Sequence, residues 1–95
     1  MQPHTKVYLN HFGYSENEYI PCEVCQCKAV DIHHIIPRSK FGKNTNDIQD
    51  SIDNLIALCR DCHTLAHDEI LIKEMLILVH KKWLRNRQNN IINII

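Results

Sequence analysis

Four pairs of metal-binding side chains punctuate the middle of the chain: Cys22 and Cys25, His33 and His34, Cys59 and Cys62, His63 and His67. Both cysteine pairs have the C-x2-C spacing, which lets two thiolates reach one ion from a single tight turn. Two such turns supply the four tetrahedral ligands that zinc prefers in a closed, structural site. Cys22, Cys25, Cys59 and Cys62 are therefore read as ligands of a structural Zn²⁺, with Cys27 left over as a small packing residue beside the first knuckle. A mixed site of Cys22, Cys25, His63 and His67 has the finger-like H-x3-H element. It would need an intervening stretch far longer than a finger's dozen residues, and it would leave Cys59 and Cys62 idle.

The histidines point to different chemistry. His63 and His67 stand at i and i+4, on one face of a helix. A third imidazole from a neighbouring strand would make a three-ligand site with open positions, the mark of a catalytic rather than a structural metal. Neutral imidazoles suit Zn²⁺, Ni²⁺ or Mn²⁺ better than Mg²⁺, which prefers oxygen. In AVDIHHIIPRS, one of the adjacent histidines then holds metal. The other stays available as a base, since its ordinary pKa near 6.5 suits proton transfer near neutrality. Asp31 shares a strand face with His33 and can fix a ring's tautomer. Strict alternation sends His33 and His34 to opposite faces, so the strand must twist or end here, and Pro37 makes an ending reasonable.

The elements that must carry these residues can be traced along the chain. KVYLNHFGY reads as a helix ending near Gly13, and SENEY as an acidic turn before the CEVCQC knuckle. KAVDIHHII is β-branched and apolar enough for a strand. Residues 38–53 are polar and rich in Asn, Asp and Ser, and read as a loop. NLIAL is a second short strand, and RDCHTLAH a short helix. From His67 onward Ile72, Met75, Leu76, Val79 and Trp83 recur at helical spacing. Leu71, Ile77, Leu78 and Leu84 widen that stripe enough for burial or for pairing with another chain. The tail NNIINII is expected to dock or fray. His4 and His11 fall outside every pattern and read as surface or partly packed, and His80 as an interface or edge residue of the long helix.

Ninety-five residues with 5 cysteines and 7 histidines make one small domain whose modest core benefits from metal staples. The first residues lack the basic start and apolar run of a signal peptide, and ILIKEMLILV is too short to span a membrane. A soluble protein of a reducing compartment, the cytoplasm, is expected, where paired cysteines hold metal more often than they oxidise. The formal net charge is zero. Basic groups gather at Arg38, Lys40 and Lys43, and again in KKWLRNR.

C-x2-C, then D-x-H-H-I-x-P, then N-L-x-x-L-C-x-x-C-H-x3-H, in that order across residues 22–67, resembles the HNH endonuclease family. The resemblance implies an α+β fold: a small ββα-metal core of two antiparallel strands and a helix, carrying the zinc knuckle pair. An N-terminal helix and linker (1–21) and a C-terminal helix and tail (68–95) would flank it within one domain, 1–95. It implies that His33, His63 and His67 bind a catalytic divalent ion (Mg²⁺, Mn²⁺, Ni²⁺ or Zn²⁺), that His34 is the general base, and that Asn54 braces the loop between the strands. Arg38 and Lys40 stand where phosphate contacts are often made. The implied activity is hydrolysis of DNA phosphodiester bonds with low sequence specificity, by nicking or full cleavage. Phage packaging, restriction, a mobile element or defence are settings for it. The partner would be the DNA backbone, with the C-terminal helix suited to a homodimer or a larger assembly. One departure is the loop, which has only Gly42 where many relatives carry Gly-Gly. The competing class is a non-catalytic zinc-stabilised module that binds nucleic acid or protein. One tight zinc alone would favour it, and zinc plus an exchangeable ion would favour the nuclease.

Overall fold

The computed structural model describes residues 2–37, 40, 42 and 46–94, with backbone alone for 46 and 87–94. Its elements, in chain order, are helix α1 (Pro3–Phe12), strand β1 (Asp31–His34), a single helical turn α2 (Asn46–Gln49), a 3-10 turn (Ile52–Asn54), strand β2 (Leu55–Leu58), helix α3 (Arg60–His67) and helix α4 (Lys73–Ile94). This is an α+β chain with a two-stranded antiparallel sheet, consistent with the ββα-metal fold.

Local chemistry explains the boundaries. Pro3 sits in the first turn of α1, where its missing N–H costs nothing. Gly13 ends that helix in the left-handed region, φ 73°, with its own N–H and that of Tyr14 turned back to the carbonyls of Asn10 and Leu9. Cys59 caps α3, its sulfur accepting from the Cys62 N–H at 3.4 Å. Gln26 closes the first knuckle at φ 67°, a conformation uncommon for a side-chain-bearing residue. It is held by its N–H to the Cys22 carbonyl (2.9 Å) and by the Tyr19 hydroxyl on its own carbonyl (2.8 Å).

The strands pair Asp31 with Leu58, Ile32 with Ala57, His33 with Ile56 and His34 with Leu55. Residues directly opposite share a face, so the register sorts every side chain to one of two sides. Ile56 and Leu58 pack with Ile35, Leu76 and the cysteines Cys22, Cys59 and Cys62. Leu55 and Ala57 pack with Tyr8 of α1, flanked by Ile32, Phe12 and Ile52. All four residues of β2 are buried, because the strand is covered on both faces.

Two stretches differ from the sequence reading. The segment read as loop contains α2 and the 3-10 turn. They form because Asn54 is buried and ties its surroundings together: its Oδ1 accepts from the Ile36 N–H (2.8 Å), and its Nδ2 donates to the carbonyls of Gln49 (2.8 Å) and Ile36 (3.1 Å). The inward side of α4 keeps Leu76, Val79 and Trp83 of the expected row and adds His80, while Ile72 and Met75 fall outside it. Leu76 and His80 are buried and Trp83 half-buried, while Ile72, Met75 and Leu78 are exposed. The cause is a polar anchor. His80 is held between Glu23 and the Ile52 carbonyl, so an i, i+4 row through position 80 must face inward. The backbone of α4 continues to Ile94, through most of the tail. No helix among the described residues is long and apolar enough to cross a membrane.

Candidate functional site

Three groups of chemically capable side chains converge around this sheet. In the first, the sulfurs of Cys22, Cys25, Cys59 and Cys62 all lie within 4.8 Å of one another. Cys25 Sγ stands 3.6 Å from Cys59 Sγ and 3.8 Å from Cys62 Sγ. Sulfurs about 2.3 Å from a tetrahedral zinc would be separated by about 3.8 Å, so the cluster has zinc dimensions and is far too open for a disulfide. Burial, with the neighbouring sulfurs, pushes the Cys62 thiol up; a bound cation is what would favour its thiolate. No histidine belongs to this cluster, because His63 turns away from it on α3. Cys27 is exposed rather than packed, and its carbonyl receives the Cys22 N–H at 2.7 Å.

The second group lies on the α3 side of the sheet. His33 and His63 meet edge to face with ring centres 5.1 Å apart. His63 Nδ1 donates to Asp31 Oδ2 at 2.8 Å; the carboxylate accepts, which fixes the proton on Nδ1 and leaves Nε2 with the lone pair a metal requires. Burial, then the positive forms of His63 and His34, hold His33 down to about 4, so its imidazole is neutral and able to ligate at neutral pH. His67 is one turn further along α3, with its side chain 84 % exposed and Nδ1 3.6 Å from Asp68 Oδ1. Among the described residues, His33, His63 and His67 do not bring three ligand atoms within 4.8 Å of one another. A cleft of about 460 Å³ runs beside this group, and His33, Lys40, His67, Glu74 and Leu76 are among the residues lining it. Arg38 lies outside the described residues.

The third group lies on the opposite face. His34, the last residue of β1, directs Nε2 to Asp50 Oδ1 at 2.7 Å, and its ring tilts against that of His4 with centres 4.5 Å apart. His4 is buried, more deeply than the surface or partly packed place expected of it. Neither His4 nor Asp50 carries a spacing signal. Position 4 lies 30 residues before His34, and an aspartate in a polar loop resembles any other.

Behind both faces sits a buried polar network. Glu23 accepts from the Tyr8 hydroxyl (2.6 Å) through Oε2 and pairs with His80 Nδ1 (2.7 Å) through Oε1, while His80 Nε2 donates to the Ile52 carbonyl (2.6 Å). A carbonyl only accepts, so Nε2 must carry a proton. Burial lowers the His80 pKa, but the Glu23 hydrogen bond and charge outweigh it, and the net shift is upward. Glu23 thereby favours the charged form of His80, and the pair ties α1, the first knuckle, the 3-10 turn and α4 together. Both residues were unremarkable in the sequence, His80 as an interface or edge residue and Glu23 as one of several acidic groups.

The chain is 37% identical over 46 residues to a mitochondrial DNA mismatch repair protein mutS homolog of Sarcophyton glaucum; the match covers 48% of this chain and 5% of that relative. No solved structure matches. The family model of the HNH endonuclease matches residues 22–69, which run from the first zinc-type knuckle to just past α3. With both knuckles, both strands and the following helix inside that span, the chain belongs to the HNH endonuclease family.

Proposed function

We propose that this chain is a metal-dependent endonuclease that hydrolyses DNA phosphodiester bonds, with zinc held by Cys22, Cys25, Cys59 and Cys62 as its scaffold. The observation that carries the reading is the division at the end of β1: His33, oriented toward His63 and Asp31, on one face, and His34, oriented by Asp50, on the other. Two adjacent residues at the end of one strand thereby present a metal-type site on one face and a base-type site on the other.

His33 and His63 would hold a catalytic divalent ion, with His67 joining by rotation of its exposed side chain. That ion, when bound, supplies positive charge to phosphate oxygens as negative charge develops. The chain's own groups do the rest. Asp50 accepts from His34 Nε2–H and so leaves Nδ1 as the lone pair that takes a proton from water. Asp31 holds His63 in the tautomer that exposes Nε2. Asn54 clamps the strand end to the intervening loop. Lys40, beside His33 in the cleft, would neutralise a phosphate of the backbone, and Arg38 follows it in the same role. DNA is the favoured nucleic acid because the matched relative is named for DNA mismatch repair. That relative's length also supports a unit that works within a larger assembly. Reduced cysteines suit a cytoplasmic setting.

Plasmid cleavage measured across Mg²⁺, Mn²⁺, Ni²⁺ and Zn²⁺, with His34→Ala as control, tests the proposal. Cutting by wild type that the variant loses supports it. No cutting with any ion would leave the zinc-stabilised binding module.

A further inference from the structure

Among the described residues, a second cluster of ligand atoms, beyond the four sulfurs, is formed by His4, His34 and Asp50. Its members come from α1, the end of β1 and the turn after α2, so it exists only in the folded chain. We propose that these three residues form a separate site for a borderline divalent cation such as Zn²⁺, and that filling this site removes His34 from service as a base.

The donor set carries the first part. Two imidazoles and one carboxylate, each offering an atom within 4.8 Å of the others, are a recurrent transition-metal set that leaves further positions open. Nitrogens about 2.0–2.1 Å from one tetrahedral ion stand about 3.3–3.4 Å apart, inside the 4.8 Å that bounds the three donor atoms. The site is sheltered as well: His4 is 9 % exposed, and the His34 and Asp50 side chains 12 % and 17 %. Shelter disfavours an isolated carboxylate charge and favours one shared with a cation. The three residues lie on the α1 face of the sheet, away from His63, so the site is distinct from the one on the α3 face.

The second part is a matter of lone pairs and rests on the reading of His34 as base. A neutral imidazole has one N–H and one lone pair. Once either nitrogen binds a cation, the single proton resides on the other, and no lone pair remains to take a proton from water. Asp50 is withdrawn at the same time from its hydrogen bond to Nε2. One ring therefore cannot serve both roles, and scarce or abundant zinc would set which role it takes.

Equilibrium dialysis of the full chain against Zn²⁺ tests the site without reference to catalysis. The background is His33→Ala with His63→Ala, which removes the other imidazole pair. We expect two bound equivalents there, one held by sulfur and one by nitrogen and oxygen. Adding either His4→Ala or Asp50→Ala should reduce this to one, the retained equivalent showing that the scaffold is intact. A single equivalent in the background chain overturns the proposal, as does a second equivalent that survives both substitutions. If one of these variants loses its sulfur-held ion, the other decides. The nuclease reading fails separately: a chain that binds the second ion but cuts no DNA keeps this site and refutes the activity, and a chain that cuts DNA but binds no second ion does the reverse.

Discussion

His34 and Asp50 are 16 residues apart in sequence and 2.7 Å apart in space, joined through Nε2 and Oδ1. The pairing assigns a tautomer to the residue proposed as base. Asp50→Ala should lower cleavage by about 10–100-fold, the usual cost of losing an orienting partner. Asp50→Asn should recover part of the rate, as the amide oxygen still accepts. Equal rates in Asp50→Asn and Asp50→Ala would show that the contact does not orient the ring.

His34→Ala should reduce plasmid cleavage by about 10²–10⁴-fold, the contribution of a positioned general base. Far-ultraviolet circular dichroism and the sulfur-bound zinc should be unchanged. Cleavage at the wild-type rate would exclude His34 as the base.

Removing His63 should separate the two proposed metal functions. His63→Ala should retain the sulfur-held zinc, and any ion at His4, His34 and Asp50, and lose the ion held with His33. Asp31→Asn, which keeps the ring but weakens its orienting acceptor, should lower affinity for that ion by about 10–100-fold. Calorimetric titration with Mn²⁺ or Ni²⁺ reads both effects. Full affinity in His63→Ala would place the ion elsewhere.

Cys59→Ser should unfold the chain outright, and a strong chelator should do the same to wild type. Cys59 supplies a sulfur to the cluster, caps α3 and belongs to the core against Ile56 and Leu58, and binding to such a site is itself folding free energy. Circular dichroism before and after chelation checks this. A chain that keeps its helical signal without metal would show that the sulfurs only decorate a stable core.

His80 makes stability depend on pH in a definite direction. Its folded pKa is raised above the ordinary value, so its contribution is complete below about pH 6.5 and fades as pH climbs through the folded value. The melting temperature of zinc-saturated wild type should therefore fall more steeply toward alkaline pH than that of His80→Gln. His80→Ala, which strands the buried Glu23 carboxylate, should cost about 3–5 kcal/mol near neutrality. Parallel slopes for wild type and His80→Gln would mean that the pair does not titrate in this window.

What could be learned from the residue string alone was whatever local geometry carries. Two C-x2-C turns imply a four-sulfur cluster, because each turn presets half of it. The order of apolar runs around DIHH and LIAL implied two strands and a helix, since strand and helix periods are properties of short segments. Contacts across long separations left no such trace. Glu23 and His80, 57 residues apart, form a pair that neither residue's neighbours announce, and that pair adds His80 to the inward side of α4 beside Leu76, Val79 and Trp83. Only the folded register could send His33 toward α3 and His34 toward α1. Only tertiary packing could bring His4 and Asp50 to the same ring, because convergence on a point is decided by how elements stack, not by the spacing of residues within them.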